Sequence, residues 1–384
     1  MHLTCIVGAR PNFPKMAPII DAARRAGIET TLVHTGQHYD AALSDSFFAE
    51  LDLPRPDVHL GVGSGSHAVQ TAKVMEAFDA VLDQRHTDMV VVVGDVNSTL
   101  ACALVAAKRL VPVAHVEAGL RSLDRTMPEE INRVLTDQLA DLLFTTERTA
   151  TEHLVREGVS EQRIHFVGNV MIDTLLKHRA TARTRGVLGR LDLNPRNFAL
   201  VTIHRPSNVD SESPARKTAA AIRVLGERFR VVVPLHPRTR SRFCQFDLLD
   251  DLIAAGICVL EPQSYFDFLA LMDNAAVVLT DSGGIQEETT ALGVPCMTFR
   301  ENTERPITIT EGTNQLVGTD PTRVREALDE ILQHPKSGRI PELWDGHAGE
   351  RIITVIAAPR GGGGASVSEG YGSSALGAAA TCQT

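Results

Sequence analysis

Short, apolar, β-branched runs alternate with longer stretches of helical periodicity along almost the whole chain. The runs predict strands ending near Val7, His34, Gly94, Glu117, Thr145 and Gly168, and then near His204, His236, Glu261, Thr280 and Phe299. Such alternation, met twice over, predicts an α/β fold of two Rossmann-like, doubly wound parallel-sheet domains. Ligands of these sheets bind outside the carboxyl ends of the strands. The residues found there are Arg10, His34, Asp95, Glu117, His204, His236 and Ser282, polar or charged in every case. They are expected to line one cleft between the domains.

A polar, Arg-rich stretch at 177–197 holds no apolar strand and is expected to link a domain at 1–176 to a second at 198–340. Residues 361–384 are mostly Gly, Ala and Ser, too poor in apolar surface to offset their ordering entropy, and are expected to be disordered. Composition adds limits rather than direction. A chain of 384 residues with 43% hydrophobic content suits two buried cores. Its formal net charge of -9 at pH 7 argues against a general binder of nucleic acid or anionic membrane, leaving room only for a focused anion pocket. Six cysteines, at 5, 102, 244, 258, 296 and 382, show no CxxC pairing and fit a reducing compartment. The chain opens on a strand without a basic, apolar leader, and no run reaches membrane-spanning length, so a cytoplasmic location is expected.

Candidate chemistry starts with Asp281-Ser282-Gly283-Gly284-Ile285-Gln286-Glu287-Glu288, which follows an apolar run from Ala275 to Thr280 and opens a helical pattern. Two glycines, free first-turn amides and the helix dipole make this a place for a diphosphate, with Glu288 set further along to receive sugar hydroxyls. An ordinary helix start with acidic residues favouring its dipole has the same appearance. Arg10 and Lys15, at the turn after the first strand, offer a bidentate fork and a point charge to the same anion, although a surface turn with solvated cations fits Lys15 too. Asp95 and Glu117 end two strands expected to lie close together. Glu129 stands at a helix start, where Pro128, Glu129 and Glu130 are also what helix physics favours. Three carboxylates around one pocket would raise one another's pKa and serve acid/base chemistry at carbon. His204-Arg205 and His236-Pro237-Arg238 repeat a histidine–arginine theme suited to a phosphate leaving group, while a structural histidine remains open for His236. Other signals fail. Gly61 to Ser66 lacks the third glycine of a dinucleotide fingerprint, Thr35-Gly36 breaks any helix that would pair His34 with His38 on a metal, and there is no Walker lysine loop.

Taken in order and spacing, GARPNFPKMAP, HTGQHYD, GDVNSTLA, HVEAGLRS, MPEEINR, VGNVMIDT, VTIHRPSNVD, LHPRTR, EPQSYFDF, TDSGGIQEE and TERPITITEGTNQLVGTD resemble the non-hydrolysing UDP-N-acetylglucosamine 2-epimerases. The resemblance runs from about residue 3 to 356 and implies the two-domain GT-B fold. It implies that Asp95, Glu117 and Glu129 surround the sugar and that His204 acts near the diphosphate. Arg10, Ser282, Gly283, Gly284 and Glu288 would hold UDP and Phe268 would lie by the uracil, with Lys15, His236 and Arg305 counted in the binding set. It also implies cofactor-independent chemistry: UDP leaves carbon 1, a carboxylate takes the carbon 2 proton to give 2-acetamidoglucal, and re-addition delivers the proton to the other face. A homodimer making surface-polysaccharide precursors goes with that family.

The chain departs from the family in two places. His204-Arg205-Pro206-Ser207-Asn208 stands where many relatives follow the histidine with Arg-Arg-Glu-Asn, and the Gly-rich tail has no counterpart. Residues 341–360 resemble the start of the family's last helix, which packs back on the first domain. Gln37 and His38 match part of a region where bacterial relatives are activated by substrate. Three other readings remain open at this point: a GT-B glycosyltransferase that needs an acceptor, a nucleotide-sugar sensor without turnover, and a 2-epimerase of a diacetamido uronic acid sugar.

Overall fold

The computed structural model describes residues 1–36, 48 and 50–359; Gln37, His38 and the tail from 360 lie outside them. Two all-parallel sheets carry the fold. The first has seven strands in the order β3-β2-β1-β4-β5-β6-β7 and the second six, β10-β9-β8-β11-β12-β13. The first comprises β1 His2–Val7, β2 Glu29–His34, β3 Val58–His59, β4 Met89–Val93, β5 Val113–Ala118, β6 Leu142–Thr145 and β7 Ile164–Phe166. The second comprises β8 Phe198–Thr202, β9 Arg230–Pro234, β10 Cys258–Leu260, β11 Val277–Thr280, β12 Cys296–Thr298 and β13 Asn314–Leu316. Both β4 and β11 are buried at every position, as strands covered by helices on two faces must be. β3 and β13, two and three residues long at the sheet edges, were not anticipated because so short a pairing leaves no apolar run.

Strand order places the crevices. It reverses between β1 and β4 in one sheet and between β8 and β11 in the other, opening a switch point at each. The loops that leave these strands carry Arg10, Asp95, His204 and Ser282.

The stretch expected to be a plain linker is largely helical. The helix Val170–Arg183 runs into it, and Val187–Arg190 adds a further turn. Its arginines have partners: Arg179 and Arg183 hold the buried Asp273 carboxylate at 2.8 and 2.7 Å. The stretch still falls between the last strand of the first sheet and the first strand of the second. The helix's apolar side joins Phe13, Met16, Ile19, Phe198, Leu269 and Ile352 in one cluster fed by both sheets. Each such side chain, once buried, contributes about 1.5–3 kcal/mol.

The helix Ala348–Ala357 lies against the helix Asn12–Arg25 through Ile352, Ile353 and Ile356. Asp173 accepts from its first amides, Ala348 N at 3.1 Å and Gly349 N at 2.8 Å. Trp344, upstream of it, donates from Nε1 to the Thr146 carbonyl at 2.9 Å. Gly168 is the tightest joint in this region: its φ is +89°, and a Cβ there would run into the Leu343 carbonyl. Gly158, with φ +83°, has open space around the same position. Gly168→Ala is therefore expected to cost about 3 kcal/mol or more, against about 1 kcal/mol for Gly158→Ala, in urea unfolding. Equal losses would show that the contact with Leu343 is not a constraint.

Candidate active site

At the end of β5 the chain makes a bulge. Register against β6 shifts between Val116 and Ala118, and Glu117, the residue between, has φ +72°. A left-handed glutamate inside a strand is costly and persists only when its surroundings fix it. They do. His115, fully buried, meets Asp137 through Nδ1 at 2.6 Å and the Gly94 carbonyl through Nε2 at 2.9 Å. Asp137 also accepts from Gly119 N at 3.1 Å and pairs with Arg121 at 2.7 Å. The bulge turns the Glu117 side chain to meet Lys15 through Oε2, and Arg305 Nη2 donates to its Oε1 at 2.5 Å.

Lys15, expected to offer a point charge to a diphosphate, is buried on Glu117, the anionic partner that a cation at 7% exposure needs. The carboxylates were expected to raise one another's pKa. Burial does push the Glu117 carboxyl up, yet Lys15 and then Arg305 outweigh it and hold it below the usual carboxylate range. Asp95 follows β4, is partly open to solvent, and pairs with Arg133. Arg133 is held in turn by Glu130 at 2.7 Å, which accepts from Ser122 N and Leu123 N at 2.9 and 3.0 Å. Glu130 thus braces a loop, while Glu129 is half-buried beside it and exerts its charge on Arg205. Arg10 stands half-buried at the turn where β1 enters its helix.

Across the cleft Asp281 organises the second half. Fully buried, it accepts from His204 N at 3.0 Å, Arg205 N at 2.8 Å and Asn208 Nδ2 at 2.9 Å, and takes His204 Nδ1 at 3.1 Å. That contact puts the ring hydrogen on Nδ1 and orients an imidazole that is 44% exposed. His236 lies 5.7 Å from His204, ring centre to ring centre, and its Nδ1 caps the helix Pro237–Gln245, so its structural role is real. The helix Gly283–Leu292 begins after Ser282 with no side chain capping its first turn. Gly283 is needed partly by the protein itself, since a Cβ there would collide with the Arg305 guanidinium; at Gly284 it would stand 3.3 Å from Met171. Phe268 is half-buried on the helix Tyr265–Asn274. Glu288 is buried and receives the Tyr265 hydroxyl at 3.2 Å. Burial, helped by Glu287, pushes it up to about 8.

Arg305 ties the halves together. Besides Glu117 it meets Glu304 at 2.5 Å and Glu287 at 2.9 Å, and Glu304 also holds Arg300 at 2.8 Å. Arg300 and Arg305 keep the Glu304 carboxyl far below its usual range despite burial. The result is a cleft with an open helix N-terminus, an oriented histidine and guanidinium groups on one side, and carboxylates on the other. Such a set suits an anionic leaving group next to proton transfer.

The model of the family described as UDP-N-acetylglucosamine 2-epimerase matches residues 21–357. The chain belongs to this family. Among its relatives, the UDP-N-acetylglucosamine 2-epimerase of Methanocaldococcus jannaschii is 41% identical over 363 residues, covering 93% of this chain and 99% of the relative. The UDP-2,3-diacetamido-2,3-dideoxy-D-glucuronate 2-epimerase of Pseudomonas aeruginosa is 40% identical over 371 residues, covering 93% and 99%. A crystal structure of the M. jannaschii protein, in complex with UDP-GlcNAc and UDP, superposes with a TM-score of 0.88 at 41% identity, covering 93% of this chain and 99% of that one. The chain is therefore an epimerase, an isomerase, and the expected GT-B fold holds. Among the described residues no helix is long and apolar enough to cross a membrane.

Sequence reasoning gave no role of their own to Asp281, Glu287, Glu147, Arg133 and Glu304. Glu147, buried after β6, is pushed up to about 7 by burial and by Glu287. A residue of this kind shows itself only once its partners are placed.

The raised acids give a pH dependence of fixed sign. A buried carboxyl whose folded pKa lies above its unfolded one contributes stability that is complete below the unfolded pKa and is lost as pH rises through the folded value. For Glu288 that window runs from the ordinary 4.5 to about 8, with a slope of at most about 1.4 kcal/mol per pH unit. Between about pH 6 and about pH 8 the Tm of the wild type is expected to fall more steeply than that of Glu288→Gln. Parallel Tm curves would show that Glu288 is ionised throughout.

Proposed function

We propose that this epimerase interconverts UDP-N-acetylglucosamine and UDP-N-acetylmannosamine without a cofactor, by elimination and re-addition. The observation that carries the reading is the direct pair between Glu117 of the first half and Arg305 of the second, which holds a sugar-side carboxylate and the diphosphate-side cations in one cleft. The proton on carbon 2 is not next to a carbonyl, so simple deprotonation fails. As the bond from carbon 1 to the diphosphate oxygen breaks, UDP takes the electron pair and oxocarbenium character acidifies that proton. A carboxylate among Asp95, Glu117 and Glu129 accepts it, leaving the carbon 1–carbon 2 double bond of 2-acetamidoglucal. UDP then re-attacks carbon 1, and a proton reaches carbon 2 from the other face.

Arg10, His204 and the helix start at Ser282, Gly283 and Gly284 would stabilise the departing diphosphate, the preorganised electrostatic contribution that usually dominates. Asp281 would serve by holding the His204 ring. Glu288 would receive ribose hydroxyls and Phe268 would lie by the uracil, with Lys15, His236 and Arg305 completing the binding set. Supply of surface-polysaccharide precursors by a cytoplasmic homodimer is the setting this reading favours.

A second substrate follows from one finding: the diacetamido-glucuronate epimerase of P. aeruginosa is about as similar as the M. jannaschii enzyme, at 40% and 41% identity. Proton NMR in deuterated water, with each UDP-sugar and no acceptor, tests both. Deuterium at carbon 2 together with a manno anomeric signal from UDP-N-acetylglucosamine is expected. Exchange with the uronate alone would move the assignment to that sugar, and turnover only with an acceptor would support a glycosyltransferase. In the same assay Glu117→Gln is expected to lower kcat by about 100-fold or more; wild-type turnover in that variant would remove Glu117 from the chemistry.

A further inference from the structure

Glu287 has no role in the mechanism above, yet its surroundings are unusual for an acid. It is 1% exposed, and neither of its carboxylate oxygens receives a hydrogen bond. Arg305 Nε comes to 2.9 Å without an aligned N–H, so that contact is charge against charge. A purely structural position of this kind would be filled more stably by an uncharged side chain. What distinguishes it is the company Arg305 keeps, since the same guanidinium donates to Glu117 on the opposite sheet at 2.5 Å.

We propose that Glu287 is a positioning residue for Glu117, acting through Arg305: one guanidinium serves both carboxylates, so a charge on Glu287 loosens its hold on Glu117. The proposal rests on the function assigned to Glu117 above. The groups facing Glu287 are Arg305 from the loop after β12, Glu117 from β5, Lys15 from the first helix, Glu147 from beyond β6 and Glu288 from its own helix. Glu311 acts on Glu147, and Glu304 and Asp95 act on Arg305. Burial, with Glu117 adding to it, outweighs Arg305 and Lys15 and pushes the Glu287 carboxyl up to about 7. Below that pH Glu287 is neutral, Arg305 belongs to Glu117, and Glu117 is a weak base. Above it the guanidinium is shared, and Glu117 takes a proton from carbon 2 more readily.

The test is the pH profile of kcat and KM for wild type and Glu287→Gln. Glutamine copies the neutral acid, so the two enzymes are expected to agree near pH 6 and to diverge by roughly three- to tenfold in kcat near pH 8, with KM little changed. A wild-type to variant ratio that is constant across this range denotes a structural role and overturns the proposal. So does a wild-type kcat without a step near neutrality, a result that needs no variant. If Glu287→Gln does not fold, Glu287→Asp, which keeps the charge, is expected to keep the step; its loss overturns the proposal as well. Infrared difference spectra across the same pH range give a readout free of turnover: the wild type should lose a buried protonated-carboxyl band that Glu287→Gln lacks. If that band is seen but no UDP-sugar is turned over, it is the proposed function that fails; absence of the band overturns the role of Glu287.

Discussion

A single guanidinium, that of Arg305, joins the two halves of the site. It is buried to 4% exposure among Glu117, Glu287 and Glu304, and its charge is tolerable there only because those acids surround it. Taking ions out of water costs several kcal/mol each, and the loss is recovered only in close, hydrogen-bonded geometry. Lys15 on Glu117 and Arg300 on Glu304 extend the same arrangement on either side. Gly283 belongs to it too, since nothing larger fits beside the guanidinium. The helix start suited to a diphosphate is thereby packed against the cation that reaches across to the carboxylate.

The other half of the constraint is the bulge at Glu117. Without the register shift, residue 117 would follow strand alternation and point with residues 115 and 113. The buried His115–Asp137–Arg121 group fixes the loop that follows, and Gly94 leaves room for Lys15 and Glu117 to meet. The strain at Glu117 thus falls where its carboxylate meets Lys15 and Arg305, and the cost is borne by hydrogen bonds made elsewhere. In the second half Asp281 does the corresponding work for His204 with hydrogen bonds rather than strain.

Sequence periodicity located nearly all the strands, because a parallel sheet covered on both faces writes its strands as apolar runs such as Met89–Val93. It missed Val58–His59 and Asn314–Leu316, edge pairings too short to leave a pattern, and it gave no sign that the stretch between the two sheets is largely helical, since that helix is held in part by ion pairs. Strand ends led to the loops that carry Arg10, Asp95, Glu117, His204 and Ser282. What stayed hidden was pairing between distant residues. That Lys15 belongs to Glu117, or that Glu288 lies under Tyr265, depends on side chains brought together from different elements. Protonation followed the same rule: Glu117, expected to be raised, is lowered, and the raised acids include Glu147, Glu287 and Glu288.

The central claim is that Glu117 and Arg305 act as one unit across the cleft. A double-mutant cycle on carbon 2 exchange tests it most directly, using Glu117→Gln, Arg305→Met and the pair together. Residues acting as a unit are grossly non-additive, so the double variant should lose about as much rate as the worse single one. Losses that multiply, as they do for independent sites, would contradict the account.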